Sequence, residues 1–309
     1  MDFEPDEDQR AIVEAVDALL ARHAGAARAI ECDAKGEYDH ALATALEEAG
    51  FTGIAKGEGT GFLDAALVVE AVARAGGGVS IGAQALVAPG VAGRLLDGPI
   101  ALGVAGESAP IRYAAHARTL LLDAGDEARV VALAPGDVTP VRSNFMLPLG
   151  RVAAAPSGES LGVGSGDCLR RWWRLALAAE CLGTMASALA ITVEYVKRRR
   201  QFGRAIGSFQ AIQHRLAHCA VLVEATRWLT YEAAARDAPA EAAATAAAYA
   251  TDAAHHLFRE THQLTGAMGY TREHDLHVFS MRLEALRVEL GGASAHRRAI
   301  TAARWASAP

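Results

Sequence analysis

The chain has 309 residues, of which 51% are hydrophobic and 6% aromatic, and its net charge is -6. That length suits about two domains, and the acidic balance argues against general affinity for nucleic-acid phosphates, which needs clustered Lys and Arg. The acidic start "MDFEPDEDQR" lacks the layout of a secretory signal, and Cys32, Cys168, Cys181 and Cys219 form no CxxC pair. The expectation is therefore a reduced, cytoplasmic protein with no disulfide framework and no zinc site.

Alanine is abundant and is the strongest helix former, so a mainly α fold is expected. Ile12, Val13, Val16, Leu19 and Leu20 recur at helical spacing, which predicts a first helix over Glu4 to His23. A second follows at Ala41 to Ala49, closed by Gly50, and a third at Leu63 to Ala75, stopped by Gly76-Gly77-Gly78. A fourth covers Ile81 to Leu96, with Pro89 as a kink or break. From Pro99 to Val163 short apolar runs alternate with Gly, Pro, Ser and Asp, which predicts a small sheet of about four or five strands. "SGESLGVGSGD" (Ser157 to Asp167) reads as a Gly/Ser linker. Long helices are expected at Cys168 to Arg199, Ser208 to Arg236, Ala240 to Thr265 and Glu273 to Leu290, with a short one near the end. Short joints between long helices describe an up-down four-helix bundle. The organisation is thus an N-terminal helical domain (1–98), a truncated β domain (99–163) and a C-terminal bundle (164–309).

Leu175 to Val196 is long and apolar enough to imitate a membrane span, and Lys197 to Arg200 follow it like a positive flank. Glu180 and Glu194 interrupt it, however, and a charge inside a span is costly unless paired, so a helix buried in the bundle is expected, with both glutamates in buried or interface pairs.

The segment "YVKRRRQFGRAIGSFQAIQHRLA" and a second, "QLTGAMGYTREHDL", carry the most specific pattern in the chain. Together with "DEDQRAIVEAVDALLARHA" and "LEEAGFTGIA", they make the chain resemble the acyl-CoA dehydrogenase family over nearly its whole length. In that family this segment grips the FAD of a neighbouring subunit. The resemblance implies that Arg199 reaches the pyrophosphate, and that Gln201, Phe202, Phe209 and Gln210 surround the adenine and ribose. It also implies that Gln263 and Gly266 complete the cradle. The chemistry of these residue types suits such a grip, since a guanidinium fork matches phosphate oxygens and a Gly-rich turn admits an anion to backbone N–H groups. Ala267 stands where the family has a second Gly, while Lys197, Arg198 and Arg200 read as charge that favours a helix end.

Family members desaturate an acyl-CoA between its α and β carbons, using a glutamate base and the flavin. One family position for that base, about twenty residues after the Tyr of the GxGY motif, falls on Leu290 here, with Glu289 one residue away; the other falls on Trp173. A Trp cannot abstract a proton. The stretches that hold the flavin ring in the family also lack counterparts, apart from Ser108, Ser143 and Asn144 as candidate remnants. No catalytic residue is therefore assigned. The resemblance implies the reduced subunit of an α2β2 acyl-CoA dehydrogenase, of the kind used in bacterial steroid side-chain breakdown. Its partner would be a full-length paralogue bringing the Glu, its substrate an acyl-CoA, and its acceptor an electron-transfer flavoprotein. The alternatives are a homo-oligomeric dehydrogenase of acyl-CoA or acyl-carrier substrates that uses Glu289, and a non-catalytic subunit of the same fold. His255, His256, Glu260 and His262, with Glu273, His274, Asp275 and His277, include pairs at metal-ligand spacing but no full ligand set, so no metal is expected.

Overall fold

The computed structural model describes residues 4–152 and 157–305. Helix α1 (Glu7–His23) starts three residues later than expected because Asp6 caps it. The Asp6 carboxylate accepts the Gln9 N–H at 2.9 Å, and the Gln9 side chain accepts the Asp6 N–H at 3.1 Å. Helix α2 (Ala26–Lys35) has no counterpart among the expected elements; its C-terminus closes at Gly36 with φ 69°. Asp39 caps α3 (His40–Glu48) and also accepts two bonds from Arg28, at 3.1 and 3.0 Å. Helix α4 (Phe62–Arg74) is buried along most of its length. The expected fourth helix is shorter than predicted: a π-helical turn at Ala83–Val87 leads into α5 (Ala88–Ala92), which ends at Gly93. Within that turn the Ala88 N–H donates to the Ala83 carbonyl five residues back, so the distortion lies just before Pro89.

The middle region holds more strands than predicted. These are β1 (Ile100–Val104), β2 (Ile111–Arg112), β3 (Thr119–Asp123), β4 (Glu127–Ala132), β5 (Val138–Val141), β6 (Leu149–Val152) and β7 (Glu159–Val163). They form a four-stranded sheet in the order β1-β3-β4-β7 and a three-stranded sheet in the order β2-β6-β5. β1 and β3 run parallel, with Ile100 opposite Thr119; the other pairs in both sheets are antiparallel. β7 occupies what reads as a linker. It is an edge strand with little burial, so it needs no apolar alternation.

The C-terminal half comprises α6 (Ser165–Arg198), the two-residue strands β8 (Arg200–Gln201) and β9 (Arg204–Ala205), and the helices α7 (Gln210–Ala235), α8 (Ala240–Thr265), α9 (Leu276–Leu286) and α10 (Gly292–Trp305). α8 is the hub, touching α6, α7, α9 and α10. Its buried face is largely alanine (Ala243, Ala246, Ala247, Ala250, Ala253, Ala254), which keeps its neighbours close. α9 is shorter than the predicted Glu273 to Leu290 helix because the chain turns out through Glu289–Gly291, where Leu290 adopts φ 50°.

Helix α6, the membrane-like stretch, has the length and composition of a span, but it packs against α4, α7, α8 and α9. Its approach to α4 is so close that a Cβ on Gly183 would stand 2.1 Å from the Glu70 carbonyl oxygen. Glu70 on α4 also ties the N-terminal helices to α7: it accepts the Tyr231 hydroxyl at 2.6 Å and pairs with Arg227.

Candidate functional site

The signature segment folds as the exit of α6, a hairpin and the entry of α7. Arg199 is the C-cap of α6; its N–H donates to the Tyr195 carbonyl at 2.8 Å, and its own carbonyl accepts the Ile206 N–H at 2.8 Å. The hairpin turns on Phe202 (φ 53°) and Gly203 (φ 78°), the two positive φ values that a tight two-residue turn needs. Phe202 bears steric strain there and is 88% exposed. Its ring meets Phe209 edge-on at 6.1 Å, and the Arg204 guanidinium lies over the Phe209 ring at 4.0 Å.

Arg199, Gln201, Gln263 and Gly266 line one open cleft of about 250 Å³, together with Tyr195, Ile206 and Leu264 to Met268. Phe202, Phe209 and Gln210 lie on the adjoining hairpin and at the start of α7, and do not line that cleft. Gly266 has φ 60° and ψ -141°, a region open in practice only to glycine. Ala267, the departure from the expected Gly pair, is exposed on the cleft wall.

The basic run divides by its partners. Lys197 and Arg198 reach back to Glu194 at 2.8 and 3.5 Å, so Glu194 forms a surface pair at the end of α6. Arg200 is not on the helix end but in the hairpin, opposite Ala205. Arg199 makes no ion pair among the described residues and faces the cleft. Such a guanidinium, beside a turn only glycine can make, suits an anionic group.

At Trp173 and Glu289, at or beside the positions that the resemblance gives for a base, the side chains bond one another and Arg112. Arg112, from β2, pairs with Glu180 of α6 at 2.8 Å and grips Glu289 through Nε and Nη2, the latter at 3.1 Å. The Trp173 indole N–H donates to the second Glu289 oxygen at 2.8 Å. The side chains of Arg112, Glu180 and Glu289 are only 14%, 11% and 14% exposed. The cavities beside this network are about 20 Å³ each, too small for an acyl chain. Burial pushes the Glu180 carboxyl above its usual range, with Arg112 opposing that shift. Both Glu289 oxygens are engaged in this arrangement, one by Arg112 alone and the other by Arg112 and the Trp173 indole, so the side chain is held in the network. Arg112 is the member the sequence does not betray. The nearest signal is Glu180, a charge in an apolar helix that demands a buried cation.

The histidines scatter. Glu260 accepts from Arg215 at 2.5 Å, His256 stacks edge-on with His218 and His274 with Tyr195. Among the described residues no three His, Cys, Asp or Glu side chains converge on a metal position. Ser143 and Asn144 line a different, larger cleft, and the Ser108 carbonyl accepts Arg151 Nε at 3.2 Å.

A helical N-terminal unit, a β region and a C-terminal bundle with this α6–α7 cleft define an acyl-CoA dehydrogenase fold. The family's N-terminal domain pattern matches residues 6–93 and its C-terminal domain pattern residues 171–305. The chain belongs to the acyl-CoA dehydrogenase family, a family of FAD-dependent oxidoreductases. It is 33% identical over 304 residues to acyl-CoA dehydrogenase IpdE2 of Mycobacterium tuberculosis, covering 90% of this chain and 91% of that one. Among solved structures, the ChsE4-ChsE5 complex from Mycobacterium tuberculosis matches with a TM-score of 0.82 at 24% identity, covering all of both chains (100% each). A Tcur3481-Tcur3483 steroid acyl-CoA dehydrogenase variant matches with a TM-score of 0.82 at 25% identity, covering 98% of this chain and 99% of that one.

Proposed function

We propose that this chain is the reduced subunit of a heteromeric, FAD-dependent acyl-CoA dehydrogenase. In this reading it grips the cofactor's adenine and pyrophosphate end, while a full-length paralogue supplies the ring pocket and the catalytic Glu. The observation that carries the proposal is an asymmetry: the cleft with Arg199, Gln201, Gln263 and Gly266 is open and its guanidinium unpaired, whereas Glu289 and Trp173, at or beside the positions that the resemblance gives for a base, are bound into a network with Arg112 and Glu180. FAD, when bound, supplies the hydride acceptor for desaturation. Arg199 holds the phosphates, the Gly266 turn lets them approach the backbone, and Phe202 and Phe209 offer aromatic faces beside the cleft. The similarity to two-component complexes, one of them described as a steroid acyl-CoA dehydrogenase, supports a paired subunit acting on a bulky acyl-CoA.

The test is to purify the chain alone and together with a full-length paralogue, and to measure visible flavin absorbance and dehydrogenation of an acyl-CoA. Flavin and activity are expected in the pair only; stoichiometric flavin with turnover in the isolated chain refutes the proposal. Arg199→Ala in the pair removes a charge-assisted phosphate contact and weakens flavin retention by roughly 10- to 100-fold.

A further inference from the structure

A larger cleft, about 800 Å³, lies away from the α6–α7 cleft, between α2, the chain from Pro140 to Leu149, and Arg272 and Arg282. Arg282, on α9, is only 4% exposed. Its Nε donates to the Met146 carbonyl at 3.2 Å and its Nη1 to the Gly77 carbonyl at 3.0 Å. Among the described residues no carboxylate lies within ion-pair distance of it, nor of Arg142 or Arg272, which are exposed on the walls of the same cleft. Two other charges on those walls are already engaged, Lys35 with Glu31 at 2.8 Å and Asp39 with Arg28 at 3.0 Å.

Three guanidiniums therefore face Asp33, which is partly buried, and Glu37, which is exposed. Arg282 feels the charge of Asp33 without an ion-pair contact to it, and a buried guanidinium in that position is better compensated by an anion that reaches it directly. Burial raises the Asp33 carboxyl above its usual range, and Arg272, Arg282, His277 and Arg142 oppose that shift. Ser143 and Asn144 add a hydroxyl and an amide at the cleft wall. Guanidinium forks and neutral donors around one concavity match the several oxygens of a phosphate better than the two of a carboxylate.

We infer that this cleft is a second ligand site, which takes a phosphate-bearing anion on Arg282, Arg272 and Arg142. It is distinct from the cofactor-tail cleft and does not depend on it. The test is calorimetric titration of the full chain with pyrophosphate at ionic strength held constant with sodium chloride. ADP and citrate serve as comparison ligands.

Saturable binding of pyrophosphate is expected, weakened by roughly tenfold for each guanidinium removed in Arg142→Gln and Arg272→Gln, both exposed positions whose loss leaves the fold intact. Measured in the Arg199→Ala variant, which lacks the proposed cofactor grip, tighter binding of ADP than of pyrophosphate supports the site and identifies a nucleotide as its ligand; the reverse order supports it with a simpler phosphate. Arg199→Ala should leave the binding of pyrophosphate unchanged, and that result separates it from the proposed cofactor grip. The inference is overturned by an absence of saturable binding, by equal affinity in the Arg142 and Arg272 variants, by tighter binding of citrate, or by loss of binding in Arg199→Ala.

Discussion

Replacing Arg112 by Met would leave two carboxylates, Glu180 and Glu289, in a site where their side chains are 11% and 14% exposed, with no cation between them. Breaking a buried ion network from one side costs about 3–5 kcal/mol, because the remaining charges stay desolvated. With a urea slope of about 3 kcal/mol/M, the unfolding midpoint should fall by about 1 to 1.7 M. The triple variant Arg112→Met, Glu180→Gln, Glu289→Gln removes all three charges at similar volume and should lie within about 1.5 kcal/mol of the parent. Lowering the pH should rescue the single variant. Burial already raises the Glu180 carboxyl, so its protonated form is the one the fold favours once Arg112 is gone, and stability should rise as the pH falls. The assay is urea unfolding followed by far-UV circular dichroism at several pH values. If the single and triple variants lose the same amount, or if the single variant loses less than about 1 kcal/mol, the charge network does not hold this site as described.

Further outcomes test other parts of the molecule. Glu289→Gln in the two-subunit complex should change kcat by less than about twofold, whereas loss of a true general base lowers it by about 100- to 10,000-fold; steady-state kinetics separates these. Phe202→Asn should relieve the strain at φ 53° and stabilise the isolated chain by about 1 kcal/mol, yet lower flavin retention in the complex if the ring packs on the adenine. Thermal unfolding and flavin absorbance read the two effects. Gly266→Ala meets no atom within 4 Å, so its cost is backbone strain alone, about 1–3 kcal/mol, and it should reduce flavin content without disturbing the bundle. His296 is 0% exposed, neither ring nitrogen has a partner among the described residues, and burial lowers its pKa to about 4 from 6.5. The fold therefore favours the neutral ring, and about 3 kcal/mol of stability should disappear as the pH falls from 6.5 towards 4. Calorimetry of His296→Leu should show that acid loss flattened.

The sequence displays the bundle clearly, because long helices repeat their apolar positions many times; the predicted bounds of α8, Ala240 and Thr265, coincide with those observed. It hides α2, which is short and carries Glu31, Asp33 and Lys35 between two glycines. It also hides β7, whose Gly- and Ser-rich edge has no buried face to mark it. In the candidate site, Arg199, Gln201, Gln263 and Gly266 are legible because two motifs resemble the family's cofactor-gripping segments, and the fold brings these four to one cleft. The buried network is not, because Arg112 finds Glu289 across 177 residues of chain, and no local pattern encodes so remote a pairing. Phe202, Phe209 and Gln210 sit beside the cleft rather than in it, since the hairpin turns them outward after β8.

The cleft around Arg199 is open on its outer side, and this has a thermodynamic consequence under the proposed assignment. A cofactor held half by each of two chains couples its own binding to their association, and linkage makes the coupling reciprocal. Dilution that separates the subunits would also release flavin, while added FAD would draw the subunits together. The holoprotein would then be a three-body equilibrium whose colour, measured against protein concentration, reports the strength of the subunit interface.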